Sequence, residues 1–532
     1  MLSPRSQDGS RFLSSANQER LSRILRASIY CLSALFLLLF LYTALRRVRY
    51  PFELEWIESG MMVSVMRIAH GQGLYVAPTL DFVPYLYAPL YLYLAAALTK
   101  VVGIGFAALR LISIGSTLAS CAVIYAMVAS ESRGHRYAQL AAVAGAGMFL
   151  ACYPVVETFY DFGRVDSLFV FLFLLAIYCT RRANPVVAAI AWILVFHTKQ
   201  TALPIAMLML CADWQRPRRI ATGVLSFLVM LGGSILALNH ATHGWYSFYI
   251  FGATRGLGVV PRQFALYVPQ MLLAPAGIAF VLILAALLFR PLALRSRAAS
   301  FYIITSIAVY GSIWFIYSHA GATVNAMMPA YAWTAVLFGI AVSRLLNGLA
   351  HNASAQNQLA AAVVLAAAAV QLAMFIYNPG RYIPTRETLH TRMQFIDQLR
   401  AIPGEIYVVN HSWDNVMAGK QPHAEMEALG AVLDSPTGAV RIRLRAEMQQ
   451  AVDTHRFAAF VLDGTAEGYP YTGKSWVPQD LYTQYPLAIS AAGQDKPRFL
   501  TSEPQWIYLP CNADFQDSVL TNTLEFVHAC RR

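Results

Sequence analysis

FELEWIESGM, residues 52–61, sets three glutamates, Glu53, Glu55 and Glu58, within six residues, directly after the first long apolar segment. A carboxylate is costly to hold beside a bilayer. Why three acids stand here, and which side of the membrane they face, decides how the rest of the chain is read. Of 532 residues, 57% are hydrophobic and 13% are charged, where soluble domains run at about 25% charged. With a mean hydropathy of +0.49, this composition describes a polytopic membrane protein. A net charge of +12 would suggest nucleic acid in a soluble protein. Here the arginines punctuate apolar runs, and no basic, aromatic-interleaved surface is present. Membrane topology and anionic headgroups account for the charge, and nucleic acid is not a partner.

Apolar runs of spanning character occupy residues 27–45, 106–129, 137–153, 167–180, 185–198, 201–213, 220–239, 266–289, 299–317, 329–346 and 358–377. A twelfth run, 85–103, contains YLYAPLYLYL, and its aromatics suit the membrane interface. Basic residues follow every second span: Arg133 and Arg136; Arg181 and Arg182; Arg216, Arg218 and Arg219; Arg290, Arg295 and Arg297; Arg344. By the positive-inside rule these loops are cytoplasmic if 85–103 does not cross. Arg46, Arg47 and Arg49, beyond the first span, are the exception.

The expected fold is therefore an α-helical polytopic membrane protein. Residues 1–26 form a cytoplasmic N-terminal segment carrying Arg5, Arg11, Arg20, Arg23 and Arg26, and 27–45 reads as a retained anchor. About eleven transmembrane helices lie within 27–377, with interfacial helices in a first external loop, 46–105. Residues 378–532 form a small extracytoplasmic α/β domain: RETLHTRMQFIDQLRAI has helical spacing, while EIYVVN and FAAFVLD read as short buried strands. Cys511 and Cys530 could pair there or stand as free thiols. Five further cysteines fall in apolar runs, where cysteine acts as a small hydrophobe.

Acids, histidines and a lysine gather on the external side. The first loop has Glu53, Glu55, Glu58, Arg67 and Asp81. ETFYDFGRVDSL has Glu157, Asp161, Arg164 and Asp166, and FHTKQTALP has His197 and Lys199. Later come His240, His243, Arg255 and Arg262, then His319 and Asn325 in SHAGATVNAMMP. Ionisable groups at membrane depth usually serve function, so the site opens outward. Arg164, Lys199 and Arg255 together suit a phosphate or pyrophosphate. The bland alternatives are a solvated face for the glutamates, a snorkelling lysine and hydrogen-bonded interfacial histidines.

The acidic loop, then RIAHGQGLY and VPYLYAPLYLYL, resembles the GT-C superfamily of integral-membrane glycosyltransferases, in the branch of protein O-mannosyltransferases and lipid A aminoarabinose transferases. ALRLIS, GRVDSLFVF, HTKQTAL and GATVNAMMPAYAW fit later segments of that branch, and AGKQPHAEM and FAAFVLD fit its bacterial C-terminal part. The resemblance implies a catalytic acid in the first external loop. That acid is usually an aspartate followed by glutamate; here Glu55 or Glu58 takes the part, and the sequence leaves open which. The family's Lys or His before a double proline is replaced by LYAPL, so Arg164, Lys199 or Arg255 would hold the lipid phosphate. Asp166, His319, Asn325 and Tyr87 complete the substrate-binding set.

The implied reaction moves a sugar from a polyprenyl-phosphate donor to an acceptor hydroxyl on a lipid, glycan or protein. It is an inverting displacement with a glutamate as general base. An external site needs a lipid-linked donor, because nucleotide sugars are cytoplasmic. The chemistry requires no cofactor in principle, and Asp161 with Asp166 is the pair that would recruit a divalent ion. Rival readings are a transporter or flippase of lipid-linked sugars, which would place charges along both halves of a path, and a glycan polymerase or ligase. The bacterial plasma (inner) membrane is the expected location. A reporter active only outside the cytoplasm is expected to work when fused after Asn378 and to be silent after Arg297; the reverse pattern would show that 85–103 crosses.

Overall fold

A computed structural model of the chain describes residues 15–253, 258–289, 297–319, 321–350, 354–435, 438–464, 482–486 and 504–510. Arg255, Cys511 and Cys530 lie outside the described residues. Each of the eleven expected apolar segments is helical. Among the described residues, seven helices are long and apolar enough to cross a membrane: Asn17–Arg47, Phe106–Glu131, Pro217–Ala241, Pro261–Phe289, Arg297–Tyr317, Val324–Ala350 and Gln356–Ala373. The chain is a multi-pass membrane protein. Val324–Ala350 forms its centre, with 89% of its apolar window buried.

Of the four remaining expected spans, Val165–Arg182 has 18 residues and the other three are short. Ala138–Ala151, Pro185–Phe196 and Leu203–Leu210 have 14, 12 and 8 residues. A helix rises about 1.5 Å per residue, so twelve residues fall well short of a hydrocarbon core of about 30 Å. Pro185 starts the helix Pro185–Phe196 and the Asn184 side chain caps it, accepting from Val187 N at 2.9 Å. It stops at His197, and Lys199 stands in the turn before the next helical segment. Lys199 thus follows a helix too short for a full span, and its Nζ pairs with Asp166 at 2.8 Å.

The segment 85–103 contains a helix only over Leu90–Val102. At its start the Tyr91 hydroxyl donates to Leu109 O at 2.9 Å, and at its end Gly103 leads straight into Phe106–Glu131. Both ends therefore lie beside the start of the same span. Tyr93 is 50% and Val101 82% exposed, an apolar face of the kind an interfacial helix turns to lipid.

The basic loops meet at the opposite end of the helices. Arg181 and Arg182 share Glu131 at 3.3 and 2.7 Å, and Arg219 and Arg297 share Asp213 at 3.7 and 2.6 Å. Arg47 was an exception to the charge pattern because it does not mark topology. It is fully buried, donates to the Tyr153 hydroxyl at 2.6 Å and pairs with Asp161 at 3.4 Å.

Beyond the last long helix, Arg386–Ala401 is capped by Thr385, whose hydroxyl accepts from Thr388 N at 3.0 Å. A four-stranded sheet follows, comprising β1 (Glu405–Val408), β2 (Phe457–Leu462), β3 (Tyr482–Pro486) and β4 (Trp506–Pro510), in the order β1-β2-β4-β3. β1 and β2 are the two strands expected from EIYVVN and FAAFVLD. They run parallel, so they need a crossover, and the helices Ser412–Met417, Met426–Leu433 and Gly438–Asp453 supply it. These crossover elements face the first loop.

Arg47→Ala should strand the Asp161 carboxylate, which is 1% exposed. Breaking a buried pair from one side costs about 3–5 kcal/mol. The thermal midpoint in detergent should fall clearly; an unchanged midpoint would mean that the pair holds nothing.

Candidate active site

One arginine folds the acidic loop. Arg110 enters from the first turns of Phe106–Glu131. Its Nη1 donates to Arg47 O and Tyr50 O at 3.0 and 2.7 Å, and its Nη2 to Phe52 O at 2.6 Å. The same guanidinium grips Glu58 two-pronged, Nε to Oε1 at 3.1 Å and Nη2 to Oε2 at 2.7 Å. Glu58 also accepts from Leu54 N at 2.6 Å and from Gly163 N. Four hydrogen bonds fill the roughly four lone-pair sites of a carboxylate. Gly163 must lack a side chain, because a Cβ there would sit 2.9 Å from Leu109 Cβ and 3.0 Å from Glu58 Oε1.

Helix Ile57–Ala69 begins after Glu55, so the two acids are not helical neighbours on one face. Glu55 lies in the preceding turn, where its Oε2 accepts from Ile57 N at 3.1 Å. Its Oε1 meets Arg164 Nη1 at 2.6 Å. Glu53 turns away, to Arg392 at 2.6 Å and His411 at 2.9 Å in the C-terminal domain. The three glutamates are only 4%, 2% and 0% exposed in chain order, which rules out a solvated face.

From Glu55 a polar network runs through five of the other expected residues. Arg164 Nη2 donates to the Tyr87 hydroxyl at 2.9 Å, and its Nε lies 3.3 Å from Asp166 Oδ2. Asp166 Oδ1 takes Lys199 Nζ at 2.8 Å and Asn325 Nδ2 at 3.0 Å. The Thr323 hydroxyl donates to Asn325 Oδ1 at 2.6 Å and so orients the amide. The loop before Arg164 bends sharply, with Glu157 and Thr158 both at positive φ, 47° and 65°. Such backbone is uncommon for residues other than glycine and often accompanies function. Beside the network, a pocket is lined by Asp166, Lys199 and Asn325 together with Phe169, Ile313 and Ile316.

His319 stands outside this network: its Nδ1 bonds Phe315 O of the preceding helix at 2.7 Å. Asp161 and Asp166 answer to different cations, Arg47 for the first, Arg164 and Lys199 for the second. Among the described residues, no group of three or more His, Cys, Asp or Glu is placed to hold a metal ion. Arg110 and Arg392 were not singled out from the sequence. A lone arginine inside an apolar helix was the available signal for Arg110.

Burial and neighbours set these acids apart. Burial pushes Glu55 up to about 7; Arg164 opposes the rise and Glu58 adds to it. At Arg164 the balance is reversed: burial disfavours the charge, but Glu55, Tyr87 and Asp166 outweigh it and the guanidinium is held cationic. Burial also acts on Glu53, yet Arg392 and His411 bring its carboxyl down to about 2. One acid is thus poised near neutrality, and a neighbour two residues away is held ionised.

Glycosyltransferase family 87 matches residues 85–285. Among curated proteins, none matches the sequence. Among solved structures, the apo state of ArnT from Cupriavidus metallidurans superposes with a TM-score of 0.56 at 14% identity, over 89% of this chain and 97% of that one. The chain shares the fold of this ArnT. ArnT from the same organism bound to undecaprenyl phosphate gives a TM-score of 0.55 at 14% identity, over 90% and 97% of the two chains. A weaker likeness is to the Archaeoglobus fulgidus oligosaccharyltransferase, TM-score 0.47 at 12% identity, over 85% of this chain and 72% of that one. The motif resemblance read from the sequence is thus matched by the architecture.

Stability should separate the two acids. A carboxyl whose folded pKa exceeds its unfolded value of about 4.3 opposes folding once pH passes that value. Glu55→Gln should therefore keep or raise the thermal midpoint at pH 8. Glu58→Gln weakens the grip on buried Arg110 and should lower stability by about 3–5 kcal/mol. Equal effects in the two variants would show that the carboxylates are not differentiated.

Proposed function

We propose that this protein is a glycosyltransferase of the bacterial inner membrane, with its site and C-terminal domain on the extracytoplasmic face. It takes a sugar from a polyprenyl-phosphate donor and passes it to an acceptor hydroxyl. The observation that carries this reading is a single connected array: a buried carboxylate poised near neutrality, two fixed cations, and an apolar-walled pocket beside the second cation. A base, a phosphate clamp and a place for the start of a lipid chain are what this transfer needs.

In this mechanism Glu55 takes the proton of the acceptor hydroxyl as its oxygen attacks the anomeric carbon. The bond from that carbon to the phosphate oxygen breaks on the opposite side, with inversion, and the polyprenyl phosphate leaves with the electron pair. Glu55 accepts two hydrogen bonds from the described residues, from Arg164 and Ile57 N. It thus retains lone pairs for an acceptor, whereas those of Glu58 are filled. Glu58 is then a positioning residue that, with Arg110, sets the turn on which Glu55 stands. A general base contributes roughly 10²–10⁴-fold, most effectively with a pKa near the working pH.

Charge grows on the leaving phosphate, and fixed donors aimed at it stabilise the transition state. Arg164 and Lys199 supply that charge, and Asp166, itself held by Asn325, keeps Lys199 in place. Their two positive charges take the part a divalent ion would play. The phosphate displaces part of the Asp166 contact to reach Lys199, and the first isoprene units lie against Phe169, Ile313 and Ile316. ArnT, which shares the fold, has been crystallised with undecaprenyl phosphate, and that ligand has the chemistry of this pocket.

Purified protein incubated with a panel of polyprenyl-phosphate sugars and acceptor should release free polyprenyl phosphate from at least one. Lys199→Ala removes a charge-assisted contact of about 1.5–3 kcal/mol, so its donor affinity should fall roughly ten- to hundredfold. Release from no donor, together with unaltered binding of undecaprenyl phosphate by Lys199→Ala, would reject the reading.

A further inference from the structure

The C-terminal domain reaches the site through one buried carboxylate. Glu425, 3% exposed, accepts the Tyr85 hydroxyl on Oε2 at 2.6 Å. Its Oε1 accepts Ser412 N and Oγ at 3.1 and 2.6 Å. The neighbouring Trp413 N donates to Ser59 Oγ at 2.8 Å, on the first turn of Ile57–Ala69. The fit is close: a Cβ on Gly60 would come within 2.5 Å of both Glu425 Oε2 and Tyr85 Cε2. Glu425 therefore sits where the domain, the helix after the acidic loop and the segment 80–87 converge.

Tyr85 leads directly into the site. Its ring stacks on Tyr87, with centroids 6.4 Å apart and planes 29° apart, and the Tyr87 hydroxyl accepts Arg164, the partner of Glu55. The remainder of the segment is tied to the same domain. Ala424 N donates to Leu80 O at 2.9 Å, Leu80 N donates to Glu447 at 2.8 Å, and Arg443 donates to Pro78 O at 2.9 Å. An appendage serving stability alone needs no buried carboxylate on Tyr85, two residues before the tyrosine that orients the arginine of the site.

We infer that Glu425 is a positioning residue: by holding the Tyr85 hydroxyl it fixes Tyr87, and through Tyr87 it sets Arg164 against Glu55. The C-terminal domain is then part of the catalytic apparatus although it supplies no reacting atom. The kinetic arm of the test rests on the transferase reading; the structural arm does not.

The test uses the full chain in detergent, with Glu425→Ala, Glu425→Gln and Tyr85→Phe. Amide exchange is followed for peptides covering residues 80–90, and kcat is measured as polyprenyl phosphate release from a polyprenyl-phosphate sugar. Glu425→Ala and Tyr85→Phe should speed exchange in that segment at least tenfold, leave the long helices protected and lower kcat at least tenfold. Glu425→Gln keeps a polar partner for Tyr85 and should recover kcat to within about threefold of the parent. Unchanged exchange in 80–90, or faster exchange with unchanged kcat, overturns the inference. If Glu425→Ala fails to fold, Tyr85→Phe carries the same test by losing one hydroxyl. If the parent protein transfers no sugar, the functional reading fails and the exchange arm alone decides the positioning role.

Discussion

The structure depends on how three carboxylates are kept charged or poised out of water. Burying a lone carboxylate costs many kcal/mol unless a cation and hydrogen bonds compensate it. Here each glutamate of FELEWIESGM has its own arginine: Arg392 for Glu53, Arg164 for Glu55 and Arg110 for Glu58. Those arginines come from three separate parts of the chain. The C-terminal domain, the loop before Val165–Arg182 and the helix Phe106–Glu131 each contribute one. Three acids stand together because a ten-residue loop joins three bodies, and each junction is an ion pair.

The three pairs have different consequences. The pair of Glu58 and Arg110 is saturated, Glu58 by backbone donors and Arg110 by backbone carbonyls, and shapes the loop. Glu53 with Arg392 and His411 joins the loop to the C-terminal domain, and the surplus of positive partners explains its low pKa. Glu55 shares its cation with Asp166 and Tyr87 and lies close to the negative Glu58, so burial prevails and its carboxyl rises. Position in a common charge network, rather than residue type, divides structural acid from candidate base. The short helix Pro185–Phe196 matters for the same reason: by ending early, it brings Lys199 down to Asp166.

Much of this was legible in the sequence. Every apolar run became helix, Arg181, Arg182, Arg219 and Arg297 of the alternating arginines met at one end, and EIYVVN and FAAFVLD became paired strands. Tyr87, Arg164, Asp166, Lys199 and Asn325, read as one external polar set, form one network with Glu55. The choice between Glu55 and Glu58 was not legible, because it depends on partners 109 and 52 residues away. Nor could the part of Glu53 be read, since Arg392 is 339 residues distant. Helix breaks inside apolar runs leave little compositional trace, so the short helices read as full spans. His319 has the right chemistry but turns back to the preceding helix, a choice of rotamer that spacing does not encode.

The central claim is that Glu55, and not its neighbours, takes the acceptor proton. The pH dependence of single-turnover transfer, measured with saturating donor, tests it most directly. The account predicts an acid limb with an apparent pKa near 7, far above the roughly 4.3 of a free glutamate. Replacing Arg164 with Ala removes the charge that opposes the rise and should move that limb to still higher pH. Glu55→Gln should abolish the turnover while undecaprenyl phosphate still binds. Turnover at the parent rate in Glu55→Gln, with the acid limb intact, would contradict the account.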